Sequence, residues 1–318
     1  MVARILALLA AVGLVAGAFA VRGMIDGDSG ASGDGGLAAV WCDPLVGDAC
    51  AAALPDSDVQ AVEPGTALER LAGGETPPTV WVTAGNWPEV LAASGGGEDA
   101  PDFGDAVAVA ATPLAVAATG DNLALLDAHC GDEVTWDCLA EAAGQDATEL
   151  GGSASLRDFR LGHVTPPTSS GLATLEALAG TIPEGDEAPT RDDVTSQPYA
   201  RLLDRIEPGD VFTGSTENAI DQFLTRPGEA SVFVGPEAAL APKAGARGAE
   251  LRPVSPTVDL VAQVAPLAGS DAPDDGAVDD FANRLGSQLT EAGWNDPSGA
   301  TAGSPGLEAA ILEALADR

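Results

Sequence analysis

Phe159-Arg-Leu-Gly-His-Val-Thr-Pro-Pro-Thr-Ser-Ser-Gly-Leu-Ala-Thr-Leu-Glu-Ala-Leu-Ala-Gly180 carries the decisive pattern of this chain. Residues 159–164 spell a short apolar strand, and Pro166-Pro167 end it. Three hydroxyl residues follow, Thr168, Ser169 and Ser170. An apolar stripe at Leu172, Leu175 and Leu178 then runs to Gly180. The pattern predicts a strand, a hydroxyl-rich loop and a helix over residues 169–179. Such a junction leaves backbone N–H groups free and aims the positive end of a helix at whatever sits before it. It is a seat for a small ligand, or plain helix capping, which contributes about 1 kcal/mol with no ligand at all.

Working outward, strand and helix signals alternate. Upstream, the pattern predicts strands over residues 37–41, 59–62 and 79–82, each followed by a helix: 44–54, 65–71 and 87–91. Thr66 is the expected cap of the second helix, and Gly73-Gly74 closes it. Residues 106–118 are apolar and β-branched, interrupted at Thr112-Pro113. Downstream, helices are expected around residues 123–126, 139–143, 199–206 and 217–224, with a strand over 231–234. Residues 181–197 are acidic and Pro-bearing, hence exposed. Residues 251–265 read as two extended pieces broken by Pro253 and Pro256. Two amphipathic helices end the chain, one with Val278, Phe281, Leu285 and Leu289 on a face, the other with Leu307, Ile311 and Leu315. Repeated βα units imply an α/β fold whose parallel sheet is covered on both faces.

The chain has 318 residues and a net charge of -35, and Lys243 is its only lysine. A field of that sign repels nucleic acid and anionic lipid, so neither is an expected partner. Arg4 precedes an unbroken apolar and Gly run over residues 5–21, and Ala18-Phe19-Ala20 offers an A-x-A cleavage site. Residues 1–22 therefore read as a signal peptide or a membrane anchor. Residues 23–36 read as a flexible Gly-rich linker. The body is expected outside the cytoplasm, secreted or tethered to the cell membrane and facing out.

The four cysteines form two local pairs in sequence, Cys42/Cys50 and Cys130/Cys138. Three connectivities are open, and local pairing is the simplest. In an oxidising compartment each short loop would gain about 2–3 kcal/mol from its disulfide. His129 beside Cys130 raises zinc as the alternative, but the cysteine spacing fits zinc poorly. The acidic stretch from Asp271 to Asp280 fails as a calcium loop, because Ala282 stands where the closing Glu belongs. No metal and no cofactor is expected. G-x-S-x-G, Walker A, G-x-G-x-x-G and H-E-x-x-H patterns are missing from the sequence, so no enzyme is expected. Ser169 or Ser170 with His163 is the one nucleophile–base pairing in view, and those hydroxyls sit at a capping position.

Six phrases in order carry a resemblance. They are residues 59–70; Pro78-Thr-Val-Trp-Val-Thr-Ala-Gly-Asn-Trp87; Ala110-Ala-Thr-Pro-Leu-Ala-Val116; residues 161–172; Val232-Phe-Val-Gly-Pro-Glu237; and residues 281–299, with Gln288, Gly293-Trp294 and Pro297-Ser-Gly. Together they resemble extracellular, periplasmic-type solute-binding proteins of ABC transport, of the two-lobed type 2 kind. Similar lobes occur in actinobacterial proteins that add a von Willebrand A domain, whose Asp-x-Ser-x-Ser motif does not occur here. The resemblance implies lobe 1 from residues 37–118 plus 256–318, lobe 2 from residues 119–255, and ligand in the cleft between them.

On matching positions the implied ligand contacts are Asp43, Thr83, Asn86, Thr112, Ser169, Ser170, Ser215, Thr216 and Glu237. Thr112 stands where the family more often has Ser, and the usual lipobox cysteine is missing. The bland readings are a turn residue for Asp43, self-satisfied turns for Thr83 and Asn86, and a helix-dipole carboxylate for Glu237. Trp87 is the expected cleft wall. The implied partners are a small polar solute, with an oxyanion fitting the serine seat, and a membrane permease, the protein itself acting as a monomer. The alternative is a cell-envelope interaction module on the same fold that has lost its ligand.

Overall fold

The computed structural model describes residues 37–318 except 56, 95–99, 184, 186, 210–211, 227 and 301. The expected signal or anchor segment and the linker lie outside the described residues. Gly35–Arg318 form one compact unit. Among the described residues no helix is long and apolar enough to cross a membrane.

Among the described residues nine strands form the framework: β1 (Val40–Cys42), β2 (Val59–Ala61), β3 (Val80–Ala84), β4 (Val107–Thr119), β5 (Val134–Thr135), β6 (Leu161–Gly162), β7 (Val232–Pro236), β8 (Ala249–Ser255) and β9 (Asp259–Pro266). Their main path is β2-β1-β3-β9-β4-β7-β6, with β8 pairing β4 and β5. β1 pairs in parallel with β2 and β3, while β9 is antiparallel to β3. β1, β3 and β7 are buried along their whole length and read as continuous apolar runs, the mark of strands covered on both faces.

The helices are α1 (Gly47–Ala53), α2 (Pro64–Ala72), α3 (Trp87–Ala93), α4 (Gly120–Cys130), α5 (Trp136–Ala142), α6 (Ser169–Ala179), α7 (Arg191–Val194), α8 (Gln197–Ile206), α9 (Thr216–Thr225), α10 (Glu237–Ala244), α11 (Asp275–Glu291) and α12 (Pro305–Ala316). α11 lays Val278, Phe281, Leu285 and Leu289 into a core with Val40, Val82 and Val264. A second core gathers Phe212, Phe223 and Phe233 with ring centroids 5.4–6.1 Å apart.

β4 divides the molecule. Its first half, Val107 to Pro113, pairs with β9, and its second half, Leu114 to Thr119, pairs with β7 and β8. The sheet thus serves two lobes, and the chain passes between them along β4 and again between β8 and β9. This is a two-lobed α/β fold of the type 2 periplasmic-binding-protein kind.

Three local expectations change. The Thr112-Pro113 interruption is no break, because the strand runs through it. Pro113 sits where the ladder changes partner, so its missing N–H costs no regular pairing. Pro253 lies inside β8, and the real break is the link before Asp259. α2 is entered through Glu63 and Pro64 rather than capped by Thr66; Pro fits the first helical turn, where an N–H would have no partner. Both disulfides form locally, Cys42–Cys50 and Cys130–Cys138.

Candidate functional site

The strand ends of both lobes meet in a buried joint. Asp43 follows β1 and is 2 % exposed. Its Oδ1 accepts from Leu45 N at 2.9 Å, Ala84 N also donates to the carboxylate, and Oδ2 accepts from Ser169 Oγ at the first turn of α6. Trp87 Nε1 donates to the same Ser169 Oγ at 2.8 Å. A continuous chain, indole to hydroxyl to carboxylate, therefore links lobe 1 to lobe 2. Thr168, one residue earlier, caps α6 by accepting from Gly171 N at 3.2 Å.

Three of the other expected residues, Ser170, Thr216 and Thr112, join this region through neighbours, while the Glu237 side chain is exposed. Ser170 Oγ and Thr216 Oγ1 are 2.9 Å apart. Thr112 Oγ1 accepts from Ala238 N at 3.0 Å, which places the β4 crossover against the first turn of α10, opened by Glu237. Thr83 donates to Gly85 O at 2.7 Å, within its own loop. Asn86 faces the other way: it accepts from Gln263 Nε2 at 2.9 Å and donates to Gly303 O. Ser215 caps α9 by accepting from Asn218 N. Asp43, Thr83, Asn86, Thr112, Ser169, Ser170 and Thr216 are all buried.

The lobes touch directly beside these bonds. Gly65 N donates to Pro167 O at 3.1 Å, and a Cβ on Gly65 would lie 2.1 Å from the Pro167 ring. Only glycine allows this approach. Burial pushes the Asp43 carboxyl up against the pull of its three donors. Glu63, next to the Gly65 contact, is pushed up to about 7 by burial and by the Asp43 charge.

Solute-sized space opens next to the joint. A groove of about 420 Å³ has one wall from lobe 1, including Pro44, Leu45, Asp48 and Trp294, and the other from lobe 2, Glu217, Ala238 and Ala239. Pro44, Glu217 and Ala238 directly follow Asp43, Thr216 and Glu237 in sequence. The lining is otherwise apolar, and Asp48 and Glu217 are its charged side chains.

Sequence reading missed the buried carboxylate Glu308 and the half-buried Glu63 and Glu176. Glu308 is three and four residues before Ile311 and Leu312, on the buried flank of α12, which was a readable signal. Glu176 lies in a helix buried almost all round, where no polar face stands out.

The two-lobed α/β architecture with paired crossings defines a binding-protein class. The chain belongs to the bacterial extracellular solute-binding protein family, whose model matches residues 56–296. That family acts outside the cytoplasm. Among solved structures, the periplasmic binding protein AfuA of Actinobacillus pleuropneumoniae, described with exogenous fructose-6-phosphate bound, is similar at 12 % identity. It covers 87 % of this chain and 94 % of its own, with a TM-score of 0.53. An ABC transporter structure from Clostridium perfringens is similar at 12 % identity, over 86 % and 89 % of the two chains, with a TM-score of 0.50. At such identity the likeness concerns the fold. By sequence, the curated proteins give no significant match.

Proposed function

We propose that this protein captures a small polar solute between its two lobes outside the cytoplasm and delivers it to an ABC-type permease. The lobes are residues 37–118 plus 256–318 and residues 119–255, moving about the β4 crossing and the β8–β9 link. The observation that carries this reading is the groove with a wall from each lobe, beside the joint of Asp43, Ser169, Thr112 and Thr216. Opening the lobes frees the polar groups of that joint for solute, and reclosure seats the solute between them. Binding needs no covalent chemistry. Asp48 and Glu217 with no basic lining residue favour a neutral or cationic solute over an oxyanion.

A thermal-shift panel of sugars, amino acids, amines and oxyanions tests the proposal. A solute at about 100 times its Kd stabilises by about 2.7 kcal/mol, saturably. Ala239→Trp, which fills the groove, should abolish that shift without lowering the melting temperature of the free protein. A second reading, a ligand-free cell-envelope interaction module, is favoured by one observation: Asp43, Ser169 and Thr112 already bond across the joint to protein groups. A panel in which nothing shifts the wild-type protein selects that reading and sinks the first.

A further inference from the structure

The family match ends at residue 296, and α12 lies beyond it. α12 packs against α3 of lobe 1 and against α6 and α7 of lobe 2. Its lead-in is tied to both lobes as well. Gly303 O accepts from Asn86 of lobe 1, and Ser304 N donates to Glu176 Oε1 of α6 at 2.7 Å. Arg191 of α7 pairs with Glu313, and Arg318 pairs with Asp204 of α8 at 2.6 Å.

The underside of this segment is acidic. Glu308 is 5 % exposed, and its Oε2 has no hydrogen-bond partner; Glu89 Oε2 of α3 is likewise buried and without one. Glu176 and Glu308 converge on Gly303: a Cβ there would lie 2.1 Å from Glu176 Oε2 and 2.8 Å from Glu308 Oε1. The charges that act on Glu308 are those of Glu176 and Glu89, both of its own sign, and Asn86 supplies a hydrogen bond. The cations near α12, Arg191 and Arg318, are engaged with Glu313 and Asp204. Asp192 and Asp193 of α7 add no positive charge. Among the described residues no acidic group is spaced to hold a metal ion, so a proton is what can neutralise the cluster.

We propose that residues 303–316 form an acid-locked strap: with Glu308 protonated the segment holds the lobes together, and ionisation of Glu308 beside Glu176 and Glu89 releases it. Burial first, then the Glu176 charge, push Glu308 from 4.5 up to about 8, and burial pushes Glu176 up too. The sign follows from linkage. A carboxyl whose value is raised in the strapped state favours that state fully below 4.5, and the advantage is lost as pH rises through about 8. Opening of the two lobes would then be governed by pH. This goes beyond the solute reading and is measured without any solute.

The test is hydrogen exchange of the full chain, read by mass spectrometry and corrected for intrinsic rates. Protection of residues 303–316 should be high at about pH 5.5. It should fall by up to about tenfold per pH unit, the limit for one proton, and level off past about pH 8. Helix α6 should stay protected throughout, as the control for global unfolding. Glu308→Gln should keep the strap protected at both ends of the range, and Glu89→Gln, which removes a charge that raises Glu308, should make the fall in protection smaller and level it off at a lower pH than in the wild type. Equal strap protection at about pH 5.5 and about pH 9 in the wild type overturns the proposal. So does a Glu308→Gln strap that loosens with pH as the wild type does. If Glu308→Gln does not fold, the wild-type profile and the direction of the Glu89→Gln shift decide.

Discussion

Ser169 is the residue on which the joint between lobes depends. Its hydroxyl accepts from Trp87 Nε1 and donates to Asp43 Oδ2, and both partners are buried. Replacing it with Ala leaves the indole N–H without an acceptor and the carboxylate with one donor fewer. Buried groups stranded in this way cost about 1–3 kcal/mol. Ser169→Ala is therefore expected to lower the urea midpoint by an amount in that range. Ser155→Ala, an exposed serine in a loop, should leave the midpoint unchanged. If the two variants unfold alike, the bridge contributes nothing to closure. The sequence showed that a serine opens this helix but not which carboxylate it meets. Asp43 and Ser169 are 126 positions apart, and only the closing of one lobe on the other joins them.

At the scale of elements, much was legible because period and punctuation agree. α6 has Thr168 before it and Gly180 after it, and the helix reading holds residue for residue over Ser169–Ala179, while the strand expected over residues 159–164 pairs only at Leu161–Gly162. The buried strands stood out for the same reason, as short continuous apolar runs. What stayed hidden were contacts that depend on partners. Pro113 looks like a breaker until the ladder is seen to change neighbours there, and Glu176 stands out on no polar face until α12 and its lead-in pack against α6. Gly65 belongs to the same class. Within α2 it is an ordinary weak helix residue, but across the joint it makes room for Pro167. Gly65→Ala would relieve helix entropy in an isolated lobe, yet here it forces backbone and proline apart. The expected result is a net loss of about 1–3 kcal/mol together with a larger radius of gyration in X-ray scattering. A variant as compact and stable as the parent would show that α2 and residues 165–168 do not hold the lobes in contact.

The whole molecule adds a long-range term to these contacts. With a net charge of -35, compaction works against self-repulsion. The joint concentrates that cost, because Asp43 and Glu63 lie on one side of it and Glu176 and Glu308 under the strap. Opening the lobes lets water reach these groups, so the open form gains most where charge is least screened. The Debye length shrinks from about 10 Å at 0.1 M salt to about 3 Å at 1 M. Added sodium chloride should therefore raise the urea midpoint at neutral pH and shift the scattering profile toward the closed form. The effect should be larger at about pH 8 than at about pH 5, where protonation has already removed part of the repulsion. An uncharged osmolyte at matched water activity separates screening from general stabilisation. If salt and osmolyte act equally at both pH values, the field of the acidic surface does not govern closure, and the joint is held by its local hydrogen bonds alone.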